Sequence, residues 1–358
     1  MSHERKFSAI LFLTLAVFTG FLPFAAPQIC LQALQDGLTL CGGSLLLSLF
    51  PFLIVSSLLI QCPAGDLLAI PFRPVARLIG FKNPCAARVL MIGFLGGFAP
   101  AASAAVEAVR TGQMSVQDAD ALLPACVCSG PSFVILTVGQ YLLGSMELGI
   151  CLFAAQILAG YLSAAVLRRL NFPQMEQKGQ PASQPLGPIR LDGVLAAATQ
   201  TYLKLCGFVL YFRMLAAGIG ELFPEPIGVF SAILLEVCSG CSLASQTGFW
   251  ASGLCCTALS VQGLSVLLQI RTICPTEMTL RSLYRARLLH LPLSLAIFYL
   301  LIPEGEQSVF GTLCKRVIVM RRIPLDCALL VFAACCITAV ELTKTFQRQK
   351  VESLKSHP

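Results

Sequence analysis

The sequence predicts an all-α polytopic membrane protein, with about eight transmembrane helices plus two re-entrant helical hairpins in an inverted repeat. Three observations lead there. First, 56% of the 358 residues are hydrophobic and only 12% charged, against about 25% charged in soluble domains. Second, residues 7–35, 37–65, 121–146, 148–167 and 237–270 carry no Asp, Glu, Lys or Arg, and the shortest of these runs is 20 residues. About 20 apolar residues cross a bilayer as a helix. Third, two of the apolar segments hold Gly or Pro near their middle, where a plain span would not. The same numbers exclude a soluble enzyme, a disordered chain and a nucleic-acid binder. A β-barrel is excluded because its strands would alternate apolar and polar residues.

Ten apolar segments follow one another, at about 7–25, 38–61, 85–107, 121–143, 147–168, 193–220, 226–247, 249–270, 286–302 and 325–342. The first follows Arg5 and Lys6 as a signal peptide would, but Pro23 and Pro27 crowd the cleavage region. It reads as a transmembrane helix instead. The polar gaps 62–84, 168–190 and 271–287 and the tail are basic, while the gaps 26–37, 144–147 and 221–225 hold acids and no Lys or Arg. Positive loops face the cytoplasm. Threading all ten segments as full spans scatters the basic gaps over both sides. If the third and seventh segments turn back inside the membrane, those four regions all become cytoplasmic, as do both termini. Residues 303–324, with Lys315, Arg316, Arg321 and Arg322, fit this scheme poorly.

The turn-back has local support. The third segment contains Gly93, Gly96, Gly97 and Pro100, and the seventh contains Ser239-Gly240. An arm of about 13 residues is roughly 20 Å long, enough to pass the midplane of a ~30 Å core. The halves then match as helix, hairpin, helix, helix. Gly97 corresponds to Gly240, and Gly130 of Ser129-Gly130-Pro131 to Gly263 of Gln262-Gly263. The predicted domains are an N-terminal helix (1–37), a first repeat (38–170), a cytoplasmic Pro/Gln-rich linker (171–191), a second repeat (192–302), and a C-terminal helix with a basic tail (303–358).

Inverted repeats place a substrate site at the midplane. Broken helices there expose backbone groups that must line a cavity or be covered by protein. Gly96, Gly97, Ser239 and Gly240 mark the tips, and Pro131 opens a further helix start. Glu236 and Lys204 are charges expected at membrane depth, where charge defaults to function. They either pair with each other or serve separately, Lys204 for an anion and Glu236 for a proton or cation. Arg213 lies about half a turn from Lys204 and is expected to snorkel outward. Glu107 sits near the interface, and Asp118 and Asp120 read as solvated loop charges. Gln262 and Gln269, seven apart, would share one helix face, either toward the site or in interhelical bonding. His290 stands alone at a helix start. The 17 Cys lie mostly in apolar segments and read as small hydrophobes. Cys238 and Cys241 lack the further ligands that zinc needs. No catalytic triad, metal cluster or phosphate loop is visible, so neither an enzyme nor a cofactor is expected.

Several stretches carry a resemblance. They are Phe50-Pro51-Phe52, Gly93 to Pro100, MSVQDADALLPACVCSGPSFVILTVG from Met114, LLGS from Leu142 and AQILAGYLSA from Ala155. In the second half come LLEVCSG from Leu234, GLSVLLQI from Gly263 and YRARLLH from Tyr284. Over roughly residues 45–302 the chain resembles the sporulation integral membrane protein family of the YlbJ/SpoVV type, within the nucleoside-recognition Gate group. The resemblance implies transport of dipicolinic acid, a small aromatic dianion, out of the mother cell across the outer forespore membrane during endospore formation. Gly97, Ser129, Gly130, Pro131, Glu236, Ser239, Gly240 and Gln269 match the family pattern. The first tip departs from it: Gly97-Phe98-Ala99-Pro100-Ala101-Ala102-Ser103 lacks the family's Lys and displaces its Pro. Val127 and Cys128 stand where the family has Asn. These losses keep open a non-transporting sporulation scaffold, beside a nucleoside or other small-solute permease. The expected partners are the small anion and the lipid bilayer. A homo-oligomer is compatible with the sequence.

Overall fold

The computed structural model describes residues 3–62, 65–171 and 191–302, and no strand occurs among them. The predicted linker and C-terminal region lie almost wholly outside the described residues. Helices α1 (His3–Ala25), α2 (Pro27–Gly42) and α3 (Ser44–Gln61) open the chain. The acidic gap expected at residues 26–37 is therefore helical rather than a loop. Its acid, Asp36, pairs with Arg213 (3.8 Å), and Gly37 lies directly on Leu210. Arg213, expected to snorkel outward, thus ends on an exposed acid of α2.

Short helices α4 (Gly65–Leu68) and α5 (Arg73–Ile79) lead into α6 (Pro84–Gly96) and α7 (Phe98–Arg110). These two double back on each other. The Asn83 amide donates to the Gln113 carbonyl (2.6 Å), so the residues flanking the pair meet. The base is fixed by Arg88, which pairs with Asp66 (3.0 Å) and donates to the Ile60 carbonyl (2.9 Å) and to the Gln113 side chain. After α8 (Val116–Cys126) the chain unwinds, then resumes as a π-helix over Ser132–Leu142. That π-helix packs on α9 (Met146–Asn171), Gly139 meeting Gly149 with no side chain between.

The second half begins with α10 (Leu191–Leu222). Its buried residues Val194, Ala198, Tyr202, Leu205, Val209, Phe212 and Leu215 recur every three or four positions, one stripe of a 3.6-residue helix. It packs on α2 and α3, and the Tyr202 hydroxyl donates to the Cys41 carbonyl. Then come α11 (Glu225–Leu235) and α12 (Val237–Ala244), which also fold back, Gly240 lying against the Ile233 backbone. Next are α13 (Ala251–Val261), α14 (Gly263–Ile273) and α15 (Arg281–Leu301).

Among the described residues four stretches are long and apolar enough to cross a bilayer: Pro27–Gln61, Met146–Leu170, Leu191–Leu222 and Gly248–Ile273. A bent pair, Ile70–Ile79 with Pro84–Gly96, adds a fifth at most. Predicted segments 85–107, 121–143 and 226–247 are cut into shorter helices by the breaks described below, 7–25 and 286–302 lie in the unbroken helices α1 and α15, and 325–342 lies outside the described residues. Large apolar side chains such as Phe24, Tyr141, Leu288 and Leu300 face outward, as suits lipid surroundings. The main core is formed by α6 to α9 with α11 to α15.

The basic gaps 62–84, 168–190 and 271–287 are joined through acids of α8, forming one basic end. Arg168 of α9 pairs with Asp118 (3.1 Å) and donates to the Gly80 carbonyl (3.0 Å). Asp120 accepts from the Leu280 backbone N–H (2.7 Å) and the Ser282 hydroxyl (3.2 Å) at the start of α15. So Asp118 and Asp120 are not idle loop charges. They tie the start of α8 to the end of α9 and the start of α15.

Candidate functional site at the helix breaks

Four interruptions position the candidate residues. At Gly97 the backbone takes φ +81°, ψ −164°, outside the range open to L side chains. A Cβ at Gly97 would lie 2.7 Å from the Gly130 nitrogen, so the first hairpin tip rests directly on the unwound segment Val127–Gly130. Gly96 is equally crowded, by Phe52 (2.8 Å) and Pro100 (3.0 Å). Ser129 is buried in that unwound segment, and Pro131 restarts the chain as a helix.

The second hairpin turns at Glu236, not at Ser239-Gly240 as expected. Glu236 is extended (φ −150°, ψ 124°) and 2% exposed, and its carboxylate accepts from the N–H groups of Cys238 (2.8 Å) and Ser239 (2.7 Å). An acid capping a helix start satisfies free donors and suits the dipole. That local capping moves the break four residues ahead of Gly240, which stays helical and serves close packing. The N-terminus of α12 is accordingly held by the protein's own carboxylate.

The fourth break is at Gln262 (φ +61°) and Gly263 (φ +69°). A Cβ at Gly263 would lie 2.9 Å from the Glu236 nitrogen. Thus each hairpin break packs main chain on main chain against the break in the following span: Gly97 on Gly130, Gly263 on Glu236. Because Gln262 lies in the left-handed link and not in α14, it does not share a helix face with Gln269. Gln269 instead donates to the Ser265 hydroxyl of its own helix (2.9 Å). The Gln262 amide reaches across to the Val127 carbonyl (3.5 Å), joining the two halves.

Lys204 stands apart from these breaks. It is exposed on α10 and lines a cavity of about 230 Å³ with Ser57, Ser103, Glu107, Thr201 and Thr272. Among the described residues no ion pair joins it to Glu236. Glu107 accepts from Gln61 (3.0 Å) and pairs with Arg110 (2.6 Å).

A polar cluster that the sequence reading missed lies beside the breaks. Arg287 of α15 donates to the Val127 carbonyl in the first unwound segment and to the Ser260 carbonyl (3.1 Å) in the last turn of α13, just ahead of the break at Gln262. His290 Nε2 bonds the Gln156 carbonyl (3.0 Å), so Nε2 carries the proton. The Gln156 amide donates to the Ser260 hydroxyl (3.0 Å), and Ser260 meets the Ser294 hydroxyl. His290 is 2% exposed, hence buried among α9, α13 and α15 rather than alone at a helix start. The available signal was the spacing Arg287, His290, Ser294, which puts three polar groups on one face of α15. Sequence reading assigned Arg287 to a cytoplasmic basic loop instead. All described cysteines are free thiols, and no group of His, Cys, Asp or Glu among the described residues could hold a metal ion.

Comparison of the chain with protein-family models, with curated proteins and with solved structures gives no match.

Proposed function

We propose that this chain is a membrane transporter for a small organic anion. In this reading it has about eight spans and two re-entrant hairpins that dip from opposite faces, and the basic end with both termini is cytoplasmic. The solute binds where the broken segments meet, and a rocking or gate-like motion exposes it to either side. No catalytic step is assigned. By resemblance the solute is dipicolinate, moved across the outer forespore membrane of a sporulating bacterium. The observation that carries the reading is the paired break geometry. In each half a hairpin turn lies main chain on main chain against an unwound span, at Gly97 with Gly130 and at Gly263 with Glu236. Unwound backbone at membrane depth is tolerated where protein buries it or a watery cavity adjoins it.

Uptake of labelled dipicolinate into proteoliposomes of the full chain tests this. Saturable uptake is expected, reduced at least about tenfold by Gly97→Leu or Gly263→Leu, each of which drives a side chain into a backbone crossing. Uptake no faster than in empty liposomes overturns it. A second reading, a permease for a neutral nucleoside-like solute, is favoured by the hydroxyls of Ser57, Ser103, Thr201 and Thr272 in the cavity. Competition by adenosine but not by dipicolinate would select it.

A further inference from the structure

We propose that Arg287, supported by His290, is the group that recognises a carboxylate of the transported solute, and that Lys204 is not. The inference rests on the transport reading only for its choice of probe. Its basis is an unbalanced charge. Two of the five guanidinium N–H groups of Arg287 are used, on the carbonyls of Val127 and Ser260. Its Nε is buried and has no partner. Among the described residues Arg287 has no ion pair, in common with Arg73 and Arg271, which also rest on carbonyls, whereas Arg88, Arg110, Arg168 and Arg213 each have an acid. Arg287 is half-buried, and carbonyl dipoles compensate its charge only in part.

Polar atoms of the neighbouring side chains are also unpaired. His290 Nδ1, Gln156 Oε1 and Gln262 Oε1 are buried without partners, on side chains at most 2% exposed. Three chains of contacts bring them together: Gln262 and Arg287 share the Val127 carbonyl, Gln156 and Arg287 share Ser260, and His290 holds Gln156. A planar guanidinium matches a carboxylate as an ammonium does not. The carboxylate would take the Nε–H and a second N–H. The neutral imidazole, with its proton on Nε2, leaves Nδ1 as an acceptor for a ligand's N–H or O–H. Lys204 is exposed and shares its cavity with the carboxylate of Glu107.

Dipicolinate binding to the full-length protein in phosphatidylcholine nanodiscs tests this, with no anionic lipid present to compete. Arg287→Gln is expected to weaken binding at least about tenfold and Arg287→Lys several-fold, the loss expected for charge-assisted bonds. Lys204→Gln should stay within about twofold, and the neutral diamide of dipicolinate should bind equally to wild type and Arg287→Gln. If Arg287→Gln does not fold, Arg287→Lys decides, because it keeps the charge and loses only the fork. Binding unchanged in the Arg287 variants, binding lost in Lys204→Gln, or no binding by the wild type each overturns the inference. A wild type that binds through Arg287 yet moves nothing in proteoliposomes overturns transport and leaves this site standing.

Discussion

At the scale of single residues, two demands at Gly97 separate cleanly: a backbone angle only glycine adopts without strain, and a Cβ position already occupied by Gly130. Gly144 shares the first demand (φ +75°) and not the second, since nothing lies within 4 Å of its Cβ. Gly97→Ala should therefore destabilise by about 2–4 kcal/mol, strain plus overpacking, and Gly144→Ala by about 1 kcal/mol. Thermal unfolding of the two variants in one detergent measures the difference, and equal losses would mean the crossing is not tight. Glu236 makes a second contrast. Glu236→Ala abandons two N–H groups at the start of α12 and should cost about 1–3 kcal/mol, while Glu236→Gln keeps one acceptor oxygen and should cost less. Stability that falls equally in both would assign the whole effect to charge.

Elements show what could be read from the chain and what could not. That the chain folds back within 85–107 and within 226–247 was legible because Gly, joined in the first by Pro, sits inside otherwise apolar runs. Gly97 is the observed turn of the first. The second turns at Glu236, because a carboxylate reaching two backbone N–H groups outweighs the angular freedom of Gly240, and that capping is a three-dimensional fact. Residues 26–37 looked like a loop because Gln28, Gln32, Gln35 and Asp36 dilute the apolar run. Their helix α2 is held by packing on α10, which local propensity does not report. Paired cysteines at Gly37 and Leu210 should therefore cross-link with a mild oxidant, and a pair at Leu31 and Leu203, both exposed, should not. Failure of the first pair to join would return residues 26–37 to a mobile loop. Beyond the Arg287, His290, Ser294 spacing within α15, the polar cluster was hidden for a similar reason. Gln156, Ser260 and His290 are far apart in sequence, and each looks ordinary until α9, α13 and α15 are brought together.

For the whole molecule, the basic end is built from residues far apart in the chain. Arg168 meets Asp118 and Gly80, and Asp120 meets Leu280. Single cysteines at Lys82 and Arg281, in a chain otherwise lacking cysteine, should thus react with an impermeant maleimide from one face of the membrane. A cysteine at Trp250, beside the exposed Phe249 and following the turn after α12, should react from the other. Labelling of all three from a single face would sink the opposed-hairpin topology. The crossings at Gly97–Gly130 and Glu236–Gly263 set a mechanical limit on any such arrangement. Main chain touching main chain leaves no layer of side chains to yield, so each fold-back and its neighbouring span move as one stiff piece. Whatever slides during a working cycle must then slide elsewhere. The seam of α3 and α10 against α7 and α14, already hollow and lined with hydroxyls, is where the shear would fall.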